Sequence, residues 1–142
     1  RAAAIFYRAQ LSYHYKAWES ARQDYEACLA LCDSLAGTGA RPLGLPPAGS
    51  IRFLRAFTFR EEGVGKILDE LEAIPKEGSE ARYADVGERV NRWAEALADS
   101  TQTQEAIRAY EVIQKFDLWE AEHENPKRKI DLLKLREGQG AE

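Results

Sequence analysis

Apolar and small residues recur at helical spacing along most of this chain. Between Ala17 and Leu29 they fall at Trp18, Ala21, Tyr25, Cys28 and Leu29, in steps of three, four, three and one. That spacing lines one face of an amphipathic helix. Upstream, Ile5, Ala9 and Ser12 share a face of a second helical stretch, Ala2 to Tyr15. Two short helices, a tight turn and a small residue at their contact, Ala21, predict an αα-hairpin. A similar pattern returns near the far end. Val90, Trp93, Ala94 and Leu97 precede a turn at Asp99-Ser100-Thr101, and Ala106, Tyr110 and Ile113 follow it. Setting Ala9 on Ala94 brings Ala21 onto Ala106 and Tyr25 onto Tyr110 with no gap.

Between these hairpins the pattern is less regular. Residues 37–49, GTGARPLGLPPAG, are rich in glycine and proline and predict neither helix nor central strand. The second helix is expected from about Trp18 to Leu35, with Gly37-Thr38-Gly39 positioned to end it, and the rest reads as a linker. Residues 51–60, IRFLRAFTFR, fit both a strand (Ile51, Phe53, Phe57, Phe59) and a helix (Phe53/Phe57, Ile51/Leu54). No second strand candidate exists to pair with it, so a helix capped by Ser50 is expected. A turn at Glu61–Gly63 leads to a helix from Val64 to Ile74, closed by Pro75. Lys76–Ser79 predicts a turn, Glu80 to Ala98 a long helix, and Gln102 to about His123 another that Asn125-Pro126 ends. Lys127 to Arg136 predicts a short last helix, with Ile130, Leu133 and Leu132 toward one side. The expectation is an all-α chain of six or seven helices and no sheet.

The first hairpin resembles a tetratricopeptide repeat (TPR), a helix–turn–helix unit of about 34 residues. Ala9, Trp18, Ala21, Tyr25 and Cys28-Leu29 match the consensus in register. The consensus tryptophan and leucine of the first helix are Ile5 and Arg8 here, and the repeat-ending proline is Asp33, so the unit is a degenerate copy. The resemblance implies antiparallel helical hairpins wound into a right-handed superhelix. It implies one TPR-like domain: 1–36 the first hairpin, 37–49 a loop, 50–75 middle helices, 80–125 the last hairpin, 126–142 a capping helix and tail.

The same resemblance implies a scaffold that binds a peptide or helix of a partner protein along its first helices. On that reading Phe6, Gln10 and Tyr13 contact the ligand in the first unit, although Phe6 and Tyr13 fit a place in the core equally well. Arg52 and Arg55, three apart, present positive charge in the middle, and Glu88, Asn91 and Glu95 line the last unit. A ligand carrying an acidic residue beside large apolar ones suits the first two groups.

Composition changes this picture little. The chain has 142 residues, 44% apolar, 31% charged and 10% aromatic, ordinary for a single globular domain. No run approaches the roughly 20 apolar residues of a membrane span. It starts at Arg1 and lacks methionine, which reads as a fragment of a longer protein. Net charge is −4, with four arginines and no acid in 37–60, and seven basic against seventeen acidic residues in 61–125. An acidic block of that kind is a solvated helical face, or a surface for a basic partner.

Candidate chemistry is sparse. Cys28 and Cys32 are the only cysteines, and His14 and His123 the only histidines, too few at the wrong spacing for a zinc site. The cysteines read as small buried hydrophobes, and no metal or cofactor is expected. No nucleophile, base and acid fall into a recognisable motif, so no enzymatic role and no small-molecule substrate is expected. The alternative function is a nucleic-acid-associated module using Arg52, Arg55 and the basic cluster 127–129, which the acidic overall charge opposes. The tetrapeptide Pro126-Lys127-Arg128-Lys129 resembles a nuclear-import signal, so the expected location is intracellular, cytoplasmic or nuclear.

Overall fold

In the computed structural model, residues 1–35, 38, 42–76, 84–120 and 122–140 are described, with the backbone alone at 84, 85, 139 and 140. Among these residues the chain is all-helical: seven α-helices, one 3₁₀ turn and no strand. Contacts divide it into two compact units, Arg1–Ala81 and Arg82–Glu142.

The N-terminal unit begins with α1 (Ala2–His14) and α2 (Trp18–Ser34). They form an antiparallel hairpin: Tyr13 stacks edge-on against Trp18 with ring centroids 5.1 Å apart, and Phe6 meets Tyr25 at 6.1 Å. Ala9, Ala21, Tyr25 and Cys28 are fully buried at this contact. Lys16 closes the turn in the left-handed region, at φ 62°. The Ala17 N–H bonds the Ser12 carbonyl at 2.8 Å and the Lys16 N–H bonds that of Tyr13 at 3.0 Å, a Schellman closure made without glycine. Across the hairpin Arg8 grips Asp24 through two 2.8 Å hydrogen bonds.

Within the 37–49 segment, residues 42–45 form a turn that sits against α1, and Ala48 and Gly49 already belong to the next helix. The Leu45 N–H reaches the Pro42 carbonyl at 3.4 Å, with Gly44 at φ 81°. A Cβ on Gly44 would lie 2.5 Å from the Ala3 Cβ, so only glycine lets the turn sit this close. Gly37 and Gly39 lie outside the described residues, and α2 already ends at Ser34.

Helix α3 (Ala48–Ala56) starts two residues before the expected Ser50 cap. Pro47 occupies the cap position, and Ser50 is buried within the first turn. Of the ambiguous stretch 51–60, residues 51–56 are helical and the helix ends there rather than running on to Arg60; Ile51, Phe53, Leu54, Ala56, Phe57 and Phe59 are all buried. The 3₁₀ turn Arg60–Glu62 and Gly63, at φ 97°, lead into α4 (Val64–Glu72), whose Ile67, Leu68 and Leu71 are buried. Ile74, just past its end, is buried too.

The C-terminal unit holds α5 (Ala84–Asp99), α6 (Thr103–Phe116) and α7 (Pro126–Gly140). The expected turn at 77–79 and helix start at Glu80 lie outside the described residues. Helix α6 stops seven residues short of His123. Asp117 takes the left-handed region at φ 54°, and the Leu118 N–H bonds the Ile113 carbonyl at 3.0 Å. With Ile113 and Leu118 both buried, this is a Schellman motif with its hydrophobic contact. Asn125-Pro126 therefore does not end α6; it starts α7. The Asn125 side-chain oxygen accepts from the Lys127 N–H at 3.0 Å, and Pro126 sits at the first helical position, where its missing N–H costs nothing. Ile130 and Leu133 face inward as expected, whereas Leu132 is half exposed.

The two hairpins share a register. The ends of α1 and α5, His14 and Asp99, are 85 residues apart, and so are the starts of α2 and α6, Trp18 and Thr103. Ala94, Ala106, Tyr110 and Ile113, the counterparts of Ala9, Ala21, Tyr25 and Cys28, are likewise buried.

Candidate functional site

The N-terminal unit carries an open cleft of ≈ 390 Å³ between α2, the second half of α3 and the end of α4. Leu29, Ala30, Ala73, Ile74 and Pro75 give it an apolar lining, and Glu26, Asp33, Arg52, Arg55 and Glu70 supply charge. Helical spacing explains the α2 wall, since Glu26, Leu29, Ala30 and Asp33 step along one side of that helix. Arg52 and Arg55 come to the same cleft from α3, as their three-residue spacing predicts.

Arg55 does not present an uncompensated charge. Its guanidinium lies 3.0 Å from Glu70 and 3.7 Å from Glu26, and Lys66 also reaches Glu70 at 3.0 Å. Burial pushes the Glu70 carboxyl up, but hydrogen bonds from Lys66 and Arg55 outweigh it and hold the group below its ordinary value. Glu70 thus stays ionised at neutral pH and is unsuited to general-acid work.

Behind this wall three cations surround the buried Phe59 ring: Arg22 at 3.9 Å, Lys66 at 5.0 Å and Arg55 at 5.2 Å from its centroid. Arg22 also donates to the Thr58 hydroxyl and carbonyl, each at 3.1 Å. Cation–π contacts of this kind stabilise by about 0.5–1 kcal/mol each near a surface. Arg22, Glu26, Phe59 and Glu70 were not singled out in the sequence. The seven-residue spacing of Glu26 and Asp33 was the available signal.

Most of the other expected ligand contacts are engaged within their own units. Phe6 packs on Tyr25, Gln10 accepts a hydrogen bond from the Tyr25 hydroxyl, and the Tyr13 hydroxyl accepts from Arg60 at 3.1 Å. Asn91 is buried, and its amide donates to the Gly87 and Leu118 carbonyls, both at 2.8 Å. Glu95 is exposed. Glu88 is exposed as well, and meets His123 Nε2 and Arg92, each at 2.8 Å. His123 Nδ1 accepts the Glu120 N–H, so Nε2 carries the proton and donates to Glu88. That hydrogen bond, then the one from Arg92, hold the Glu88 carboxyl below its ordinary value.

Cys28 is buried, and desolvation, followed by the charges of Cys32 and Asp24, pushes its thiol up to about 11. It is a core residue rather than a nucleophile. Among the described residues no cluster of histidine, cysteine and carboxylate side chains can hold a metal ion, and no helix is long and apolar enough to cross a membrane. Comparison with models of known protein families, with curated proteins and with solved structures finds no match.

Proposed function

We propose that this chain is a non-catalytic TPR-like scaffold that binds a peptide or helix of a partner protein within a larger complex. The repeated hairpin carries this reading: in two helix pairs the first helix ends and the second begins in the same register, 85 residues apart, beside the same small and aromatic buried positions. Hairpins of this type build extended surfaces for other polypeptides, in the right-handed superhelical arrangement that the TPR resemblance implies.

The cleft supports the same reading. Its apolar lining and charged edge have the make-up of a protein interface. Partner side chains would pack on Leu29, Ala30, Ala73 and Ile74, with charged side chains at the edge. The nucleic-acid reading fares worse, because Glu26, Asp33 and Glu70 share the cleft with the arginines and repel phosphate.

Ala30 lines the cleft and is exposed, so Ala30→Arg fills it without disturbing the fold. A partner captured by the immobilised chain and then purified should bind that variant at least about tenfold more weakly. Equal affinity for the variant and the parent would refute the cleft as the binding surface.

A further inference from the structure

A second surface lies on α1, on the side turned away from α2. Tyr7, Leu11 and Tyr15 are 66%, 40% and 76% exposed and follow one another at four-residue steps. They form a single apolar ridge about 12 Å long. Ala3 continues the ridge by one turn toward the N-terminus. There Gly44 packs against it and brings in Leu43, which is 92% exposed. Isolated exposed hydrophobes need no explanation, but a contiguous row of them marks an interaction surface.

Charge identifies the occupant. Residues 1–18 carry Arg1, Arg8 and Lys16 and no acidic residue, so the charge that α1 and its ends bring to the ridge is positive. Arg8 is partnered by Asp24 from α2, yet its side chain remains 69% exposed at the edge. We infer that the α1 ridge docks an amphipathic helix of a partner protein whose apolar stripe is flanked by Asp and Glu.

A second copy of the chain fits poorly. Two α1 ridges would bring like charges together. The other exposed large hydrophobes among the described residues, Leu132 and Leu135, lie on α7, whose Lys127–Arg136 stretch carries five basic residues and one acid. A lipid surface also fits poorly: Ile5, Phe6 and Ala9 are turned into the hairpin, leaving a ridge too narrow for stable insertion. The proposal rests on the reading of the chain as a protein-binding scaffold but uses a surface separate from the cleft, so the two can fail independently.

The test uses two labelled synthetic helical peptides with the same leucine stripe, one flanked by glutamate and the other by lysine. Fluorescence anisotropy should show the glutamate peptide binding at least about tenfold more tightly, with affinity falling as salt rises. The double variant Tyr7→Ser/Tyr15→Ser should weaken it at least about tenfold, while Ala30→Arg leaves it unchanged. Both tyrosines are exposed, so the double variant should keep the circular dichroism of the parent. Amide shifts on adding the peptide to the parent should be confined to α1 and residues 42–45. No binding of the glutamate peptide, equal binding of both peptides, or shifts centred on the cleft would overturn the proposal. So would a concentration-dependent dimer lost in the tyrosine variant, or anionic vesicles binding in place of the peptide.

Discussion

Removing the Asn91 side chain should destabilise the C-terminal unit by about 2–3 kcal/mol. Asn91 is 3% exposed, and its amide reaches the Gly87 and Leu118 carbonyls at 2.8 Å. Gly87 lies inside α5, where helix geometry already offers its carbonyl a donor. Leu118 lies past the end of α6, so its carbonyl depends on Asn91. In Asn91→Ala that buried carbonyl loses its partner, which costs about 1–3 kcal/mol, and the vacated space adds to this. The same carbonyl would lie only 3.1 Å from a Cβ on Gly87, so Gly87→Ala should push against it. The two substitutions act on one carbonyl and should couple by at least about 0.5 kcal/mol.

Asn91→Asp should be worse than Asn91→Ala at pH 7, because it turns a carboxylate onto two carbonyl oxygens. Folding raises the pKa of such a group, so the deficit should shrink as pH falls and the carboxyl protonates. Urea unfolding in a Trp18→Phe background, followed by the fluorescence of Trp93 and Trp119, reads the C-terminal unit directly. An Asn91→Ala variant as stable as the parent would refute the clamp. If it also lost partner binding, Asn91 would be a surface contact after all.

Other outcomes follow from the same packing. The Tyr110 hydroxyl is buried without a hydrogen-bond partner among the described residues, so Tyr110→Phe should be neutral or stabilising by up to about 1 kcal/mol in thermal unfolding. A larger loss would mean the hydroxyl is satisfied. At pH 7 a thiol raised to about 11 is thiolate in roughly one molecule in ten thousand. Iodoacetamide should therefore label the half-buried Cys32 before Cys28, and fragment-ion mass spectrometry of the peptide containing both should show equal rates only after denaturation. Glu70 is held below its ordinary value of 4.5, so its contribution is complete above that pH and is lost as pH falls through the lowered folded value. Glu70→Gln should cost about 1 kcal/mol or less at pH 7, and the difference from the parent should vanish in acid. A gap that persists in acid would mean the pairing is not its source.

Helices whose signal is local were legible in the sequence. The spacing of Ile5, Ala9, Trp18, Ala21 and Tyr25 placed α1 and α2 within a residue or so of their observed limits. The end of α6 was not, because the usual stop signal is glycine and this helix stops on a left-handed Asp117. Leu118 and Trp119 continue the apolar pattern beyond it, and only tertiary contact makes them a loop. The same holds at the candidate sites. Arg52 and Arg55 were expected together and do share a cleft, but the compensation of Arg55 by Glu26 and Glu70 joins residues 15 or more positions apart. Asn91 looked like a surface amide until the Leu118 carbonyl, 27 residues on, was found against it. Exposure of Tyr7, Leu11 and Tyr15 likewise depends on which face of α1 meets α2, and an aromatic helix such as FYRAQLSYHY leaves both faces plausible.

A photo-crosslinking amino acid placed at cleft position Ala30 or Ala73 tests the scaffold reading most directly. Both residues line the cleft and are exposed, and Glu111 on α6 is an exposed control outside it. Illumination in cell extract should join the same partner polypeptide to the chain from Ala30 and Ala73, but not from Glu111. No crosslinked partner from either cleft position, or the same products from Glu111, would contradict it.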